Sequence, residues 1–239
     1  MKTILFPTDF LAHSPGTINY LRLMAQAYDD ARVIVLHVYQ PVVADATLPT
    51  FNDPGIGTVA AMDLETISQQ HLTNMVEQLR AQGLEAVGEW RVGSVEDEIV
   101  DAARTYAPDL LITHRTPATG FFDRLIGSAA TDVARQAPCP VLFIGQREDA
   151  APVQITSVAY VLQQGITQQM ATDQTKPLID GFDAHLTVIS PDQIDGTHPD
   201  IFVIQRKETG FLGGLMGTDP TEKLLASAEV PVLVFHEVK

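Results

Sequence analysis

Lys2-Thr-Ile-Leu-Phe-Pro-Thr8, a helical period running from Ser14 to Tyr28, and then Arg32-Val-Ile-Val-Leu-His-Val38 form the stretch that decides the fold. Both flanking runs are apolar and rich in β-branched residues. Each therefore reads as a strand covered on both faces, which is the habit of parallel sheets. Between them Ser14 is placed to cap a helix, Pro15 suits its first position, and Ile18, Leu21, Ala25 and Tyr28 recur on one face. Strand, helix and strand at this spacing make one unit of an α/β fold.

The units continue along the chain. Residues 40–62 contain Pro41, Pro49, Pro54, Gly55 and Gly57 and read as a long irregular segment, the length of a lid or mobile loop. A helix is expected over 63–82, with Leu64, Ile67, Leu72, Met75 and Leu79 facing inward and Gly83 as its stop. A weaker strand at 85–92 precedes Ser94-Val-Glu-Asp97, which reads as a capping box opening a helix that Pro108 ends. A strand at 109–113, a helix at 128–136 and a strand at 140–144 complete the set.

The remainder repeats the scheme in reduced form. Thr119-Gly-Phe-Phe-Asp-Arg-Leu-Ile-Gly-Ser128 aligns with Thr209-Gly-Phe-Leu-Gly-Gly-Leu-Met-Gly-Thr218 at an offset of 90 (209 less 119), and Pro140-Val-Leu-Phe with Pro231-Val-Leu-Val at 91 (231 less 140). A near-constant offset signals internal duplication. The expected organisation is a complete domain at 1–147 and a truncated copy at 151–239. In that copy, strands at 155–162, 185–189, 201–205 and 231–235 and a helix at 167–180, weakened by Pro177, lack one helix-strand-helix stretch. The apolar edge strands at 140–144 and 231–235 are expected to pair with each other, because each alone would be an exposed edge.

Composition narrows the functions. Thirty Asp and Glu against 15 Lys and Arg leave a net charge of −15, a surface that repels phosphate backbones and anionic lipid. We therefore expect no nucleic-acid partner and no membrane partner. A single cysteine, Cys139, rules out a disulfide framework and a multi-cysteine metal site. The apolar run at the N-terminus is too short for a signal peptide or a membrane span, so a cytoplasmic location is expected.

Five short motifs stand in order on these elements: Ile4-Leu-Phe-Pro-Thr-Asp-Phe10, Leu36-His-Val38, Ala107-Pro-Asp-Leu-Leu-Ile112, Gly127-Ser128 and Ala137-Pro-Cys-Pro-Val-Leu142. Through them the first copy resembles the universal stress protein family, and the second resembles a truncated member of it. The resemblance implies a doubly wound parallel five-stranded sheet, strand order 3-2-1-4-5, of the adenine nucleotide alpha hydrolase-like kind, followed by the truncated copy. In such sheets ligands bind where the strand order reverses, beyond the carboxyl ends of the first and fourth strands. It further implies ATP or AMP as a possible ligand, with Asp9 reaching the ribose, Val38 meeting the adenine edge and Gly127-Ser128 holding phosphate at a helix start. Free amides and the positive helix end favour an anion there.

The sequence departs from the family's phosphate loop, which reads Gly, two residues, Gly, nine residues, Gly and Ser or Thr. Counting back from Gly127 places His114 and Pro117 at the first two glycine positions, while Gly120 is displaced from the pattern. Proline has no amide proton, and a histidine side chain crowds a backbone that must approach phosphate. Each lost bond to a charged phosphate is worth about 1.5 to 3 kcal/mol, around tenfold or more in affinity. In the second copy Gln163 stands at the position of Asp9, and Lys207 and Ile204 at the first two glycines.

The main functional expectation is a stress-response binding or regulatory module with a degraded nucleotide site. The alternatives are an adenine-nucleotide binder with at most slow hydrolysis, and an enzyme or carrier for another small ligand, although no acid and base pair is placed for catalysis. His13 and His114 lie near Asp9, but three ligands without fixed spacing read as solvent-facing groups rather than a metal site. His37 reads as a hydrogen-bonded core residue, and Cys139 as a small buried hydrophobe. A homodimer is expected from the sheet face that the missing helices would leave bare, and an unknown small ligand or protein partner stays open.

Overall fold

The computed structural model describes residues 1–10, 15–40, 54–115, 133, 136–145, 154–206 and 220–236. Among these the strands are β1 (Thr3–Pro7), β2 (Arg32–Tyr39), β3 (Ala86–Val92), β4 (Leu110–Arg115), β5 (Val141–Gly145), β6 (Ser157–Val161), β7 (His185–Ile189), β8 (Ile201–Arg206) and β9 (Val232–His236). The helices are α1 (Pro15–Ala27), α2 (Pro54–Ala81), α3 (Val95–Tyr106), α4 (Gln168–Phe182) and α5 (Pro220–Ser227), with one 3-10 turn at Pro191–Gly196. The strands form a single sheet in the order β3-β2-β1-β4-β5-β9-β8-β6-β7.

Every pairing in that sheet is parallel except one. The exception is β5 with β9, which run antiparallel with Leu142 opposite Leu233 and Phe143 opposite Val232. On one side of the junction the order is 3-2-1-4-5, and the other side mirrors it with a shorter set. The apolar edge strands thus meet each other, as their sequences led us to expect. Helices α1 and α4 pack across the same junction, where a Cβ built on Gly181 would lie 2.8 Å from both the Cα and the Cβ of Ala27.

Two apolar clusters sandwich the sheet. One joins Ile4, Phe6, Leu21, Met24, Val33, Val35 and Leu79 to Tyr160, Leu178 and Val203. The other joins Leu5, Ile34, Ile99, Leu111, Val141 and Phe143 to Val161, Ile194, Phe202 and Leu224. Alternate residues of each strand enter opposite clusters, as the period of two requires.

Besides Leu64 and Ile67, which were expected to face inward on α2 and are exposed, three expectations need correction. Helix α2 begins at Pro54, nine residues before the expected start at residue 63, so 54–62 is helical rather than irregular. Proline at the first helical position loses nothing, since its missing N–H would have no partner there. The rest of the expected lid, 41–53, lies outside the described residues. Secondly, the capping box at Ser94 is absent: its hydroxyl donates to Glu96 Oε2 (3.2 Å), and its oxygen accepts no bond from the first-turn N–H groups of the helix. Thirdly, the face that β7 leaves uncovered is polar rather than apolar. Leu186 and Val188 pack against the first cluster, His185 and Thr187 are the exposed side chains, and the 3-10 turn buries Ile194 where a helix is missing. The apolar ground for a homodimer at that face is therefore removed.

A feature repeated in the two halves ties the amino end of the sheet. Asp109, just before β4, accepts hydrogen bonds from Lys2 Nζ (2.7 Å) and Thr3 N (2.9 Å) at the start of β1. Asp200, just before β8, accepts from Thr156 N (2.8 Å), Thr156 Oγ1 (3.0 Å), Ser157 N (2.8 Å) and Ser157 Oγ (2.8 Å) at the start of β6. These bonds outweigh the opposing effect of burial and hold both carboxyls below their ordinary value of 3.8. A lowered carboxyl pKa adds stability that is present above pH 3.8 and lost as pH falls through the folded-state value. At about 1.5 to 3 kcal/mol for a bond to a charged group, with hydration recovering part, Asp200→Ala is expected to cost about 2 to 3 kcal/mol in urea unfolding at pH 7. As pH falls below 3.8 the gap between variant and wild type should narrow.

Candidate functional site

The carboxyl ends of β1 and β4 lie side by side where the strand order of the first half reverses. Chain reversal leaves a crevice at such a point, because the connections depart to opposite faces of the sheet. Asp9 stands there, two residues past the end of β1, with its side chain exposed. Val38 is half-buried on β2 and packs against the second apolar cluster. The backbone at His114 is not loop but strand: it is paired with β5 opposite Ile144, and β4 continues to Arg115 opposite Gly145. Pro117, Gly120, Gly127 and Ser128 lie outside the described residues, as do His13 and the glycine-rich run at 209–218.

The turn that presents Asp9 is held by its neighbours. Thr8 N donates to Leu36 O (2.8 Å), which prolongs the β1–β2 ladder, and Phe10 N donates to Thr8 Oγ1 (3.1 Å). His37 Nδ1 lies 2.8 Å from Thr8 O. A carbonyl only accepts, so that nitrogen carries the proton. The chain then turns through Phe10 in the left-handed region, at φ 63°. A bulky residue pays about 1 to 2 kcal/mol for that conformation. Two ring contacts offset it, at about 0.5 to 1.5 kcal/mol each. The Phe10 ring stacks on His37 at 4.2 Å and meets His71 of α2 edge-on at 5.6 Å.

The ring contacts continue outward. His37 faces Trp90 of β3 at 5.2 Å, and Trp90 stacks on Tyr39 at 5.7 Å. The β2–β3 register places His37 beside Trp90 and Tyr39 beside Val92, so all these rings emerge on the α2 face of the sheet. His37 is 9% exposed, and burial pulls its pKa below the ordinary 6.5. The Thr8 carbonyl and the charge of Asp9 oppose that shift, while His71 adds to it. His37 is thus the hydrogen-bonded core residue expected of it, with a second contact to the Asp9 turn that the sequence did not disclose. Cys139 is 6% exposed and its thiol is pushed up to about 12 by burial, which makes it unreactive near neutral pH. Among the described residues no group of three or more His, Cys, Asp or Glu side chains is placed to hold a metal.

The equivalent gap in the second half is spanned by amides. Gln163, at the position of Asp9, donates from Nε2 to the Gln205 carbonyl (3.0 Å) and so joins the ends of β6 and β8. Tyr160 donates to Gln174 Oε1 (2.7 Å), and Gln174 Nε2 donates to Gln205 Oε1 (2.9 Å). Tyr160 is fully buried and Gln205 is 4% exposed. Part-buried side-chain amides satisfied in this way favour one arrangement, since breaking any link strands a partner.

Comparison with known proteins places the first half. The sequence model of the universal stress protein family matches residues 1–145. A universal stress protein of Methanocaldococcus jannaschii is 29% identical over 150 residues, which is 60% of this chain and 81% of that protein. Among solved structures, a universal stress protein from Archaeoglobus fulgidus superposes with a TM-score of 0.69 at 13% identity, covering 98% of this chain and 96% of its own. A functionally unknown protein from Pseudomonas aeruginosa gives 0.65 at 14% identity, covering 99% and 92%. At these identities the two structures speak for the fold of the whole chain.

Proposed function

Because the chain belongs to the universal stress protein family, we propose that it is a stress-response regulatory module with one weak adenine-nucleotide site, in its first copy, and that it acts by binding rather than by catalysis. The observation that carries this reading is the contrast between the two halves. Asp9 is exposed at the carboxyl edge of β1, whereas the matching gap is bridged by Gln163 and Gln205. In this reading residues 1–147 are the complete domain and 151–239 a truncated copy that serves as its built-in partner. Asp9 takes the ribose, the backbone at Val38 the adenine edge, and Gly127 and Ser128 the phosphates, with Gly120 near them.

His114 and Pro117 weaken the site. A strand residue at position 114, still paired to β5, leaves its backbone in the ladder rather than free to bend around phosphates. Calorimetric titration with ATP is expected to give a dissociation constant weaker than about 10 μM. The double variant His114→Gly with Pro117→Gly should tighten it about tenfold or more, by restoring bonds to charged phosphate. A tighter wild-type constant would reject the degraded-site reading, and an unchanged double variant would place the obstruction elsewhere. No helix among the described residues is long and apolar enough to cross a membrane, and we place the module in the cytoplasm. A homodimer of whole chains, which the family implies, would use a surface other than the β5 edge, since β9 already occupies it.

A further inference from the structure

We propose that His37 is a positioning residue for Asp9: its imidazole, without touching a ligand, holds the turn that presents the carboxylate to the crevice. The inference deepens the nucleotide reading above and rests on it for the ligand. Three observations carry it. Nδ1 of His37 is 2.8 Å from the carbonyl of Thr8, the residue directly before Asp9. The ring lies 4.2 Å from that of Phe10, the residue directly after, with 29° between planes. Phe10 sits at φ 63°, a conformation that a phenylalanine abandons when nothing holds it. Asp9 is thus clamped on both sides by one side chain from the neighbouring strand.

The clamp has a defined electrical setting. The charged or titratable groups facing His37 are Asp9 from the end of β1 and His71 from α2, while Phe10 and Trp90 present uncharged rings. Protonation at Nε2 would place a charge on a ring that is 9% exposed and bonded to the Thr8 carbonyl, so the turn and the ring's charge are linked. Burial and His71 favour the neutral ring, while the bond to the Thr8 carbonyl and the charge of Asp9 favour the charged one, with the balance on the neutral side. The linkage follows in sign: burial of the neutral ring contributes stability that is complete above pH 6.5 and is lost as pH falls through the lower, folded-state value.

The test uses the full chain. In an NMR titration from pH 8 to pH 5, the backbone amides of Asp9 and Phe10 should move with the midpoint of the His37 ring, and that midpoint should lie below 6.5. Calorimetry with ATP at pH 7.5 should show His37→Phe, which keeps a ring and loses the donor, binding about tenfold more weakly. His37→Asn, whose amide nitrogen can stand at the Nδ1 position, should recover most of the affinity and abolish the pH dependence. Phe10→Gly, which removes the stacked ring and leaves the bond to Thr8, should reduce the shift at residue 10 while the Asp9 amide still follows the histidine, which decides the matter even if His37→Phe fails to fold. Amides that ignore the His37 titration, or a folded His37→Phe that binds as wild type, would overturn the proposal. If wild-type protein binds no ATP at millimolar concentration, the nucleotide reading falls, and the amide titration alone judges the clamp.

Discussion

Residues 1–147 produced without the remainder will self-associate. In the whole chain Val141, Leu142, Phe143 and Ile144 of β5 are at most 1% exposed, and β9 supplies both the hydrogen-bonding neighbour and part of the cover. Leu142 and Ile144 share a cluster with Leu233, and Val141 and Phe143 share the other with Val232 and Val234. Removal of the second copy leaves a row of unpaired backbone groups flanked by apolar side chains, the surface that templates strand pairing. Uncovering a single large apolar side chain forfeits about 1.5 to 3 kcal/mol, and several lose part of their cover together. Light scattering at micromolar concentration should therefore give a dimer or larger species for the fragment. A monomeric fragment as stable as the whole chain would refute the built-in partner reading.

Gly181→Leu is expected to loosen the same junction from the helix side. Taken alone, glycine inside a helix costs about 1 kcal/mol relative to alanine, so propensity favours replacing it. Packing opposes the change, because a Cβ at this position falls 2.8 Å from the Cα and Cβ of Ala27. One of those atoms is backbone, so relief requires α1 and α4 to separate rather than a side chain to swing aside. Overpacking of this type costs about 1 to 3 kcal/mol, and the added leucine volume places the effect at the upper end. Gly181→Ala should lose about 1 kcal/mol net. Adding Ala27→Gly should recover only part of that, since it removes the methyl group and leaves the α1 backbone where it was. Chemical denaturation of wild type and the three variants measures all of this, and a stabilised Gly181→Ala would show that the helices yield freely.

The strand plan was legible because it is written in continuous apolar runs. His185–Ile189 and the start of the next strand at Ile201 stand where the pattern puts them, and the missing helix-strand-helix stretch followed from counting residues. The start of α2 was hidden because Pro54, Gly55 and Gly57 weigh against a helix locally, while the contacts that hold it come from Leu72, Met75 and Leu79 farther on. Asp200 carried a usable signal, since Pro199-Asp200 repeats Pro108-Asp109 at the duplication offset of 91 (200 less 109). The ring contacts around the Asp9 turn carried none. His71, Trp90 and Phe10 are far apart in sequence, and only the β2–β3 register and the path of α2 bring them together. Asp9 itself was legible through its place at the end of the first strand, where the fold makes a crevice.

The bridge between Gln163 and Gln205 bears on how such a module counts its ligand. A symmetric pair of identical subunits must offer two equal sites, and any signal it sends is shared between them. Fusion into one chain lifts that constraint, so the ends of β6 and β8 can be bridged by a glutamine while the first crevice changes independently. On the proposed reading, in which only the first crevice takes nucleotide, occupancy would be one per chain and the response a simple hyperbola, graded across about two decades of concentration rather than switched by cooperativity.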